Sequence, residues 1–456
     1  MIASEILLKG TTMKKLHALK SLAPAIAAIA CALGTSSVYA ADIEIIHAGK
    51  VLANPGGAVA TEQTIIVKDG RIVEVRDGYA NDVNLSEDGD DVTVRNLREF
   101  FVLPGLIDSH VHITNENNPR GRLDRVELSD ADNAIRAAGY AKKTLHAGFT
   151  TVRDVGAGSG DAIFALRDGI ARGDIVGPRI FASGSTISVT GGHGDGTQGY
   201  RDDIAELMHS SGVCDGAPDC RQAVREQVRR GADHIKLTAT AGVLSNTAAG
   251  LEQQFFEDEL AAIMDTAHSM GRKVTAHAHG VQGINAALRA GVDSIEHGTY
   301  LDNESIRLFK RNGAYLVPTL LAGATVVEWA NDPDTFLLPP QRAKALTVGP
   351  QMHDMASRAI KGGIAIAFGT DTGVSKHGDN AREFALLVAA GMTPMQAIRS
   401  ATVTASAHLG QSENFGTIEA GKFADIIAVD GDPLSDITEL ENVDFVMKEG
   451  IVYKLP

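Results

Sequence analysis

Two histidines one residue apart, His110 and His112, follow an apolar stretch that reads as a β-strand. Residues i and i+2 of a strand face the same way, so both imidazoles enter one site. Alone, the pair also fits two ordinary surface or core histidines. More groups able to bind a cation or move a proton fall at the ends of other expected strands: Lys236, His277, His297 and Asp371. Each suits a structural role by itself; as a set they suit a metal site. Lys236 is the odd member, because an ammonium is a donor and cannot bind a cation. Carbamylation by CO2 would turn its amine into a two-oxygen anion able to bridge two metals. The alternative is a lysine that only pairs with Asp371.

These residues need a scaffold that gathers strand ends. From Phe101 onward, short β-branched runs alternate with amphipathic stretches, the pattern of repeated βα units around a parallel sheet. Strands are expected at 101–107, 150–154, 179–182, 234–238, 273–278, 294–297, 315–318 and 364–368. Helices between them include Asp130 to His146, Glu257 to Met270 and Val281 to Ala290. Gly148, Gly231, Gly271, Gly291 and Gly313 end such stretches, as helix C-caps do. Eight units close a barrel, so the expected fold is α/β: a (β/α)8 TIM barrel over residues 101–411, active at the C-terminal strand ends. The flanks, 41–100 and 412–456, read as short strands with turns at Lys68-Asp69-Gly70-Arg71, Gly431-Asp432-Pro433 and Lys448-Glu449-Gly450. Neither is a domain alone, so one β-sandwich built from both chain ends is expected beside the barrel.

Residues 1–40 read as a signal peptide, with Met13 as an alternative start. Lys14, Lys15 and Lys20 precede an apolar run from Ala23 to Leu33, and Val38-Tyr39-Ala40 offers small residues for cleavage before Ala41. The apolar run is too short for a permanent membrane span. A lipid anchor at Cys31 is the competing reading. Export would place the mature chain in the periplasm or outside the cell, where Cys214 and Cys220, closing a short Gly/Pro loop, read as a disulfide. Two unrelated thiols are the alternative. The formal net charge of −15 argues against binding a phosphate backbone, so nucleic acid is not an expected partner. A small-molecule or dipeptide substrate is expected instead; a homo-oligomer is compatible with the sequence.

The stretch from Leu103 through His110-Val111-His112 resembles the opening motif of the amidohydrolase superfamily. Gly369-Thr370-Asp371 and Gly416 to Asp425 resemble its later motifs. Gly191-Gly192-His193-Gly194, Ala232 to Lys236, Ala276 to Gly280 and Glu296 to Tyr300 look like the branch of Xaa-Pro dipeptidases and aminoacyl carboxypeptidases, near the imidazolonepropionases. The likeness spans residues 42–456.

The resemblance implies two divalent ions, usually Zn2+. His110, His112 and Asp371 would hold the more buried ion, His277 and His297 the more exposed one, with N6-carboxylysine at Lys236 as the bridge. It favours His277 over His279, which faces the same way. Such ions lower the pKa of bound water toward about 7, so hydroxide exists at neutral pH. Asp371 would take the proton and hand it to the leaving nitrogen, and His193 would polarise the scissile carbonyl. Tyr300, just past the sixth strand, could bind a substrate carboxylate or simply pack. The leading expectation is hydrolysis of a dipeptide or N-acyl amino acid with a free C-terminal carboxylate. Cyclic amides or amide-linked xenobiotics of the mycotoxin type are the alternative substrates. A non-catalytic periplasmic metal-binding protein is a third reading, against which an acid at position 371 argues.

Overall fold

The computed structural model describes residues 42–80, 90–157, 160–208, 210–246 and 250–456; the signal segment with Cys31 lies outside them. Four strands open the chain: β1 (Asp42–Val51), β2 (Ala60–Lys68), β3 (Arg71–Asp77) and β4 (Asp91–Pro104). The β2–β3 turn uses Asp69 and Gly70, both at positive φ, which matches the twist of a two-residue hairpin. Next come the strands that bear the ligand-type residues. They are β5 (Leu106–Val111), β6 (Phe149–Asp154), β7 (Arg179–Ala182), β8 (Ile235–Thr238), β9 (Val274–Ala278), β10 (Ser294–His297), β11 (Tyr315–Val317) and β12 (Ala365–Ile366). Three more close the chain: β13 (Ile426–Val429), β14 (Phe445–Lys448) and β15 (Ile451–Lys454).

Both chain ends contribute to one seven-stranded sheet, ordered β15-β14-β13-β4-β1-β2-β3. The two-residue period of a strand explains how it buries both faces. Phe101, Leu103, Ile427, Val429 and Val446 join the main apolar core. Their neighbours Val102, Ile426, Ala428, Phe445 and Met447 face the other way and pack with Ile46, Ile65 and Val67. The strand ladders join all seven of these strands in one hydrogen-bonded order.

The other eight strands are parallel and form two sheets, β5-β6-β7 and β12-β11-β10-β9-β8. Helices such as Asp130–His146 and Val281–Ala290 alternate with them. Ladders do not join the two sheets into one closed ring, but hydrogen bonds cross both gaps. Ile187 N–H donates to Lys236 O at 2.8 Å and Thr238 N–H to Ile187 O at 3.0 Å. On the other side Asp371 N–H donates to His110 O and His112 N–H to Thr372 O, both at 2.7 Å. The backbones bearing His110, His112 and Asp371 are thereby held side by side.

Two strands differ from the sequence expectation. Residues 101–104, expected to open the first parallel strand, instead end β4 and pair with β1 and β13. The chain then bends at Gly105, where a Cβ would stand 2.3 Å from the Thr150 hydroxyl oxygen, and β5 starts at Leu106. The eighth strand, expected over 364–368, is ordered as β for two residues only. Beyond it the segment to Thr372 departs from regular pairing to run along β5, as the crossing hydrogen bonds show. All described residues belong to one compact unit, and among them no helix is long and apolar enough to cross a membrane.

Candidate metal centre

Parallel register brings the ligand-type side chains level. Thr238 of β8 pairs with His277 of β9, which pairs with Glu296 of β10, while Asp154 of β6 pairs with Val111 of β5. Two groups result: His110, His112 and Asp371, and His277, His279 and His297. In each, one ligand atom per residue lies within 4.8 Å of the others. The groups adjoin, with the His110 and His297 ring centroids 5.2 Å apart. His297 and Asp371, together with Thr319 behind His297, adopt left-handed backbone conformations. Non-glycine residues seldom do so, and such strain concentrates at functional sites.

Hydrogen bonding fixes which ring nitrogens are bare. His110 Nδ1 donates to the Glu296 carboxylate at 2.6 Å and His112 Nδ1 to Gly156 O at 2.7 Å. A carbonyl or carboxylate oxygen can only accept, so each Nδ1 holds the proton and each Nε2 is left as a lone pair. These two nitrogens lie 3.4 and 3.2 Å from Asp371 Oδ1, a buried oxygen with no hydrogen bond of its own. Three electron-pair donors thus converge with no proton between them, which a bound cation satisfies. The electrostatics agree. Burial alone would lower the His112 pKa, but the Asp371 carboxylate outweighs it and raises the value, so this point attracts positive charge.

The second group follows the same logic. Thr319 Oγ1 donates to Pro318 O at 2.8 Å, so it accepts from His297 Nδ1 at 2.7 Å, leaving His297 Nε2 bare. His277 Nε2 faces Ala241 O at 3.5 Å, a long contact in which the ring donates and Nδ1 is left bare. Burial drives the pKa values of His277 and His297 far down, so both rings are neutral at pH 7. The residues present therefore fit a pair of cations. His279, weighed at the sequence level as a rival of His277, accompanies it instead: its ring stacks on His297 at 4.8 Å and its Nδ1 meets Thr299 Oγ1 at 2.8 Å.

Lys236 of β8 is within electrostatic reach of both groups: its charge acts on His112 of one and on His277 and His297 of the other. It is 3% exposed, and among the described residues its amine makes no hydrogen bond or ion pair. The pairing with Asp371 considered above is absent. Burial lowers its pKa to about 8. His193 approaches from the loop after β7, with its ring 4.2 Å from that of His277, and burial lowers its pKa to about 3. That loop is braced by the disulfide Cys214–Cys220 and by the hydrogen bond from Cys214 N–H to Ser188 O at 2.9 Å. Tyr300 is partly buried beyond β10, and among the described residues its hydroxyl has no hydrogen-bond partner.

Sequence reasoning missed the support beneath the first group. The buried Glu296 carboxylate accepts from His110 and from Arg153 Nη2 at 2.8 Å, and from the hydroxyls of Thr275 and Ser294. Removing one partner of such a buried pair costs about 3 to 5 kcal/mol, so the His110 ring is firmly oriented. No local signal marked it, because Glu296 stands next to His297 in the chain but serves His110, 186 positions away.

The Amidohydrolase family model matches residues 101–452. Ochratoxinase of Aspergillus niger is 31% identical over 445 residues, covering 92% of this chain and 88% of that protein. The crystal structure of a Xaa-Pro dipeptidase with methionine bound in its active site is 41% identical, with a TM-score of 0.85, covering 90% of this chain and 100% of that one. A prolidase complexed with N-methylphosphonate-L-proline is 30% identical, with a TM-score of 0.80, over 91% of this chain and 100% of that one. With the family match spanning both histidine groups, the chain belongs to the amidohydrolase family of hydrolases.

Proposed function

We propose that this protein is a binuclear metal-dependent amide hydrolase that cleaves a dipeptide or N-acyl amino acid and releases a residue with a free C-terminal carboxylate. The observation that carries this is the convergence of bare ring nitrogens and an unbonded carboxylate oxygen in two adjoining groups, with the buried Lys236 in electrostatic reach of both. His110, His112 and Asp371 would hold one ion and His277 and His297 the other, and a carboxylated Lys236 would supply a shared anionic ligand. Two divalent ions there, zinc in our reading, would supply Lewis acidity and activate water for attack on a carbonyl carbon.

The chain's own residues do the rest. A buried amine with a lowered pKa is partly neutral near pH 7, and its nitrogen can bond to the carbon of CO2 and release one proton, leaving the carbamate. The Asp371 carboxylate accepts the proton of the attacking water and delivers it to the leaving amine nitrogen. His193 donates a hydrogen bond to the carbonyl oxygen. Tyr300, its hydroxyl unpartnered among the described residues, receives the substrate carboxylate. In this reading residues 101–411 close as a (β/α)8 barrel beside a sandwich made from 41–100 and 412–456. The likeness to the Xaa-Pro dipeptidase and the prolidase supports a dipeptide substrate. The likeness to ochratoxinase favours a second reading, an amide-linked xenobiotic.

A panel of dipeptides, N-acyl amino acids, their amides and esters, and lactams separates these readings. Free acids are expected to be cleaved about five- to 150-fold better in kcat/KM than their amides, because an unmatched buried donor costs about 1 to 3 kcal/mol. Tyr300→Phe is expected to erase most of that preference at unchanged metal content. Equal rates on acids and amides, or turnover of lactams alone, would move the assignment to the second reading.

We also propose that the chain is exported, as the basic and apolar N-terminal segment and the disulfide both suit an oxidising compartment. Mass spectrometry of periplasmically produced protein is expected to find a mature N-terminus near Ala41. A lipid-modified Cys31 would replace cleavage near Ala41 by a lipid anchor with export retained, and a retained N-terminal segment would overturn the export proposal.

A further inference from the structure

The use of His193 depends on which of its ring nitrogens bears the proton, because a neutral imidazole has one donor and one acceptor nitrogen. Its Nδ1 lies 2.7 Å from Ser245 Oγ, and that same oxygen accepts the Gly242 N–H at 3.3 Å. Ser245 is 5% exposed, so its polar atoms need partners within the protein. If the ring donated, the hydroxyl would accept twice, and its own proton would find no acceptor among the described residues. If the hydroxyl donates, the serine proton and Nδ1 match each other and Nε2 keeps the ring proton.

We propose that Ser245 is a positioning residue that fixes His193 in the Nε2–H form, so that the ring offers a donor to the substrate carbonyl oxygen. The inference rests on the polarising role given to His193 above and adds how the fold enforces it. The loop bearing Ser245 is clamped from outside by the helix Pro339–Gly362. Lys344 Nζ donates to Gly242 O at 2.8 Å and to Ser245 O at 2.9 Å, and Gln341 Nε2 donates to Leu244 O at 2.7 Å. Positions 341 and 344 lie on one face of that helix, three residues apart. On the inner side the loop meets the imidazole at Gly242, where a Cβ would stand 2.3 to 2.5 Å from three ring atoms. The His193 N–H is held separately by Gln254 Oε1 at 3.0 Å. Backbone, ring face and ring nitrogen are thus each fixed by a different contact.

Histidine 15N spectra of the zinc-loaded mature protein test the tautomer directly, with the His193 signals identified by their loss in His193→Gln. The expected pattern is a bare Nδ1 and a protonated Nε2. Ser245→Ala is expected to blur that pattern and lower kcat about tenfold on the best substrate of the panel above, with KM and metal content little changed. Ser245→Thr, which keeps the hydroxyl, is expected to restore both. A protonated Nδ1 in the unaltered protein overturns the proposal whatever the variants do, and so does a Ser245→Ala protein with unchanged spectrum and kcat. An unchanged kcat in His193→Ala would instead overturn the polarising role itself, a result distinct from the ring signals.

Discussion

Lys236→Ala is expected to abolish hydrolysis and to strip much of the metal from the protein, while short carboxylic acids added in trans restore part of the turnover. The size of the effect follows from position. Lys236 is buried beside two groups that together hold several histidines and a single aspartate, so the carbamate would be the main negative charge shared by both ions. Losing a partner that merely orients a ligand costs about 10- to 100-fold in metal affinity or activity; losing a ligand common to both ions should exceed that. The alanine also leaves a buried gap where the side chain stood, into which formate or acetate can bring two oxygens. Near-normal rates in Lys236→Ala without such additives would show that no carbamate is needed, and a loss that no acid repairs would reduce Lys236 to a packing role.

Asp371→Asn is expected to keep much of its metal and lose at least about a hundredfold in turnover, the lower end of what a positioned proton carrier supplies. The amide keeps an oxygen of the same shape between His110 and His112 but can neither accept nor return a proton. The native carboxylate is well suited to that cycle. Two bare ring nitrogens converge on its Oδ1 with no proton between them, so it begins the cycle as the carboxylate. Metal analysis and kcat on one sample decide the matter: equal losses of both would make Asp371 a ligand only.

The ligand-type residues were legible in sequence because strand geometry makes them so. His110 and His112 face one way by the period of two, and Lys236, His277 and His297 each stand on or at the end of a β-branched run. The helices Asp130–His146 and Val281–Ala290 have the bounds that their amphipathic pattern implied. What sequence could not show are contacts between residues far apart in the chain. Glu296 meets His110 across 186 positions, and Ser245 meets His193 across 52. Neither has a local pattern, since a buried acid and a loop serine look alike with or without a partner. The bend at Gly105 did have a local signal, the Pro104-Gly105 pair, which commonly interrupts a strand. The apolar residues on both sides of it suit one strand, and the close approach of Thr150 shows why the run divides between two sheets.

Titration of metal-stripped protein with Zn2+, following bound metal and hydrolysis of an N-acyl amino acid together, tests the binuclear assignment most directly. Two separate ligand groups sharing one bridge predict that activity reaches its plateau at close to two equivalents, with little turnover before the second ion binds. Full activity at one tightly bound equivalent, or hydrolysis by the stripped protein, would contradict it.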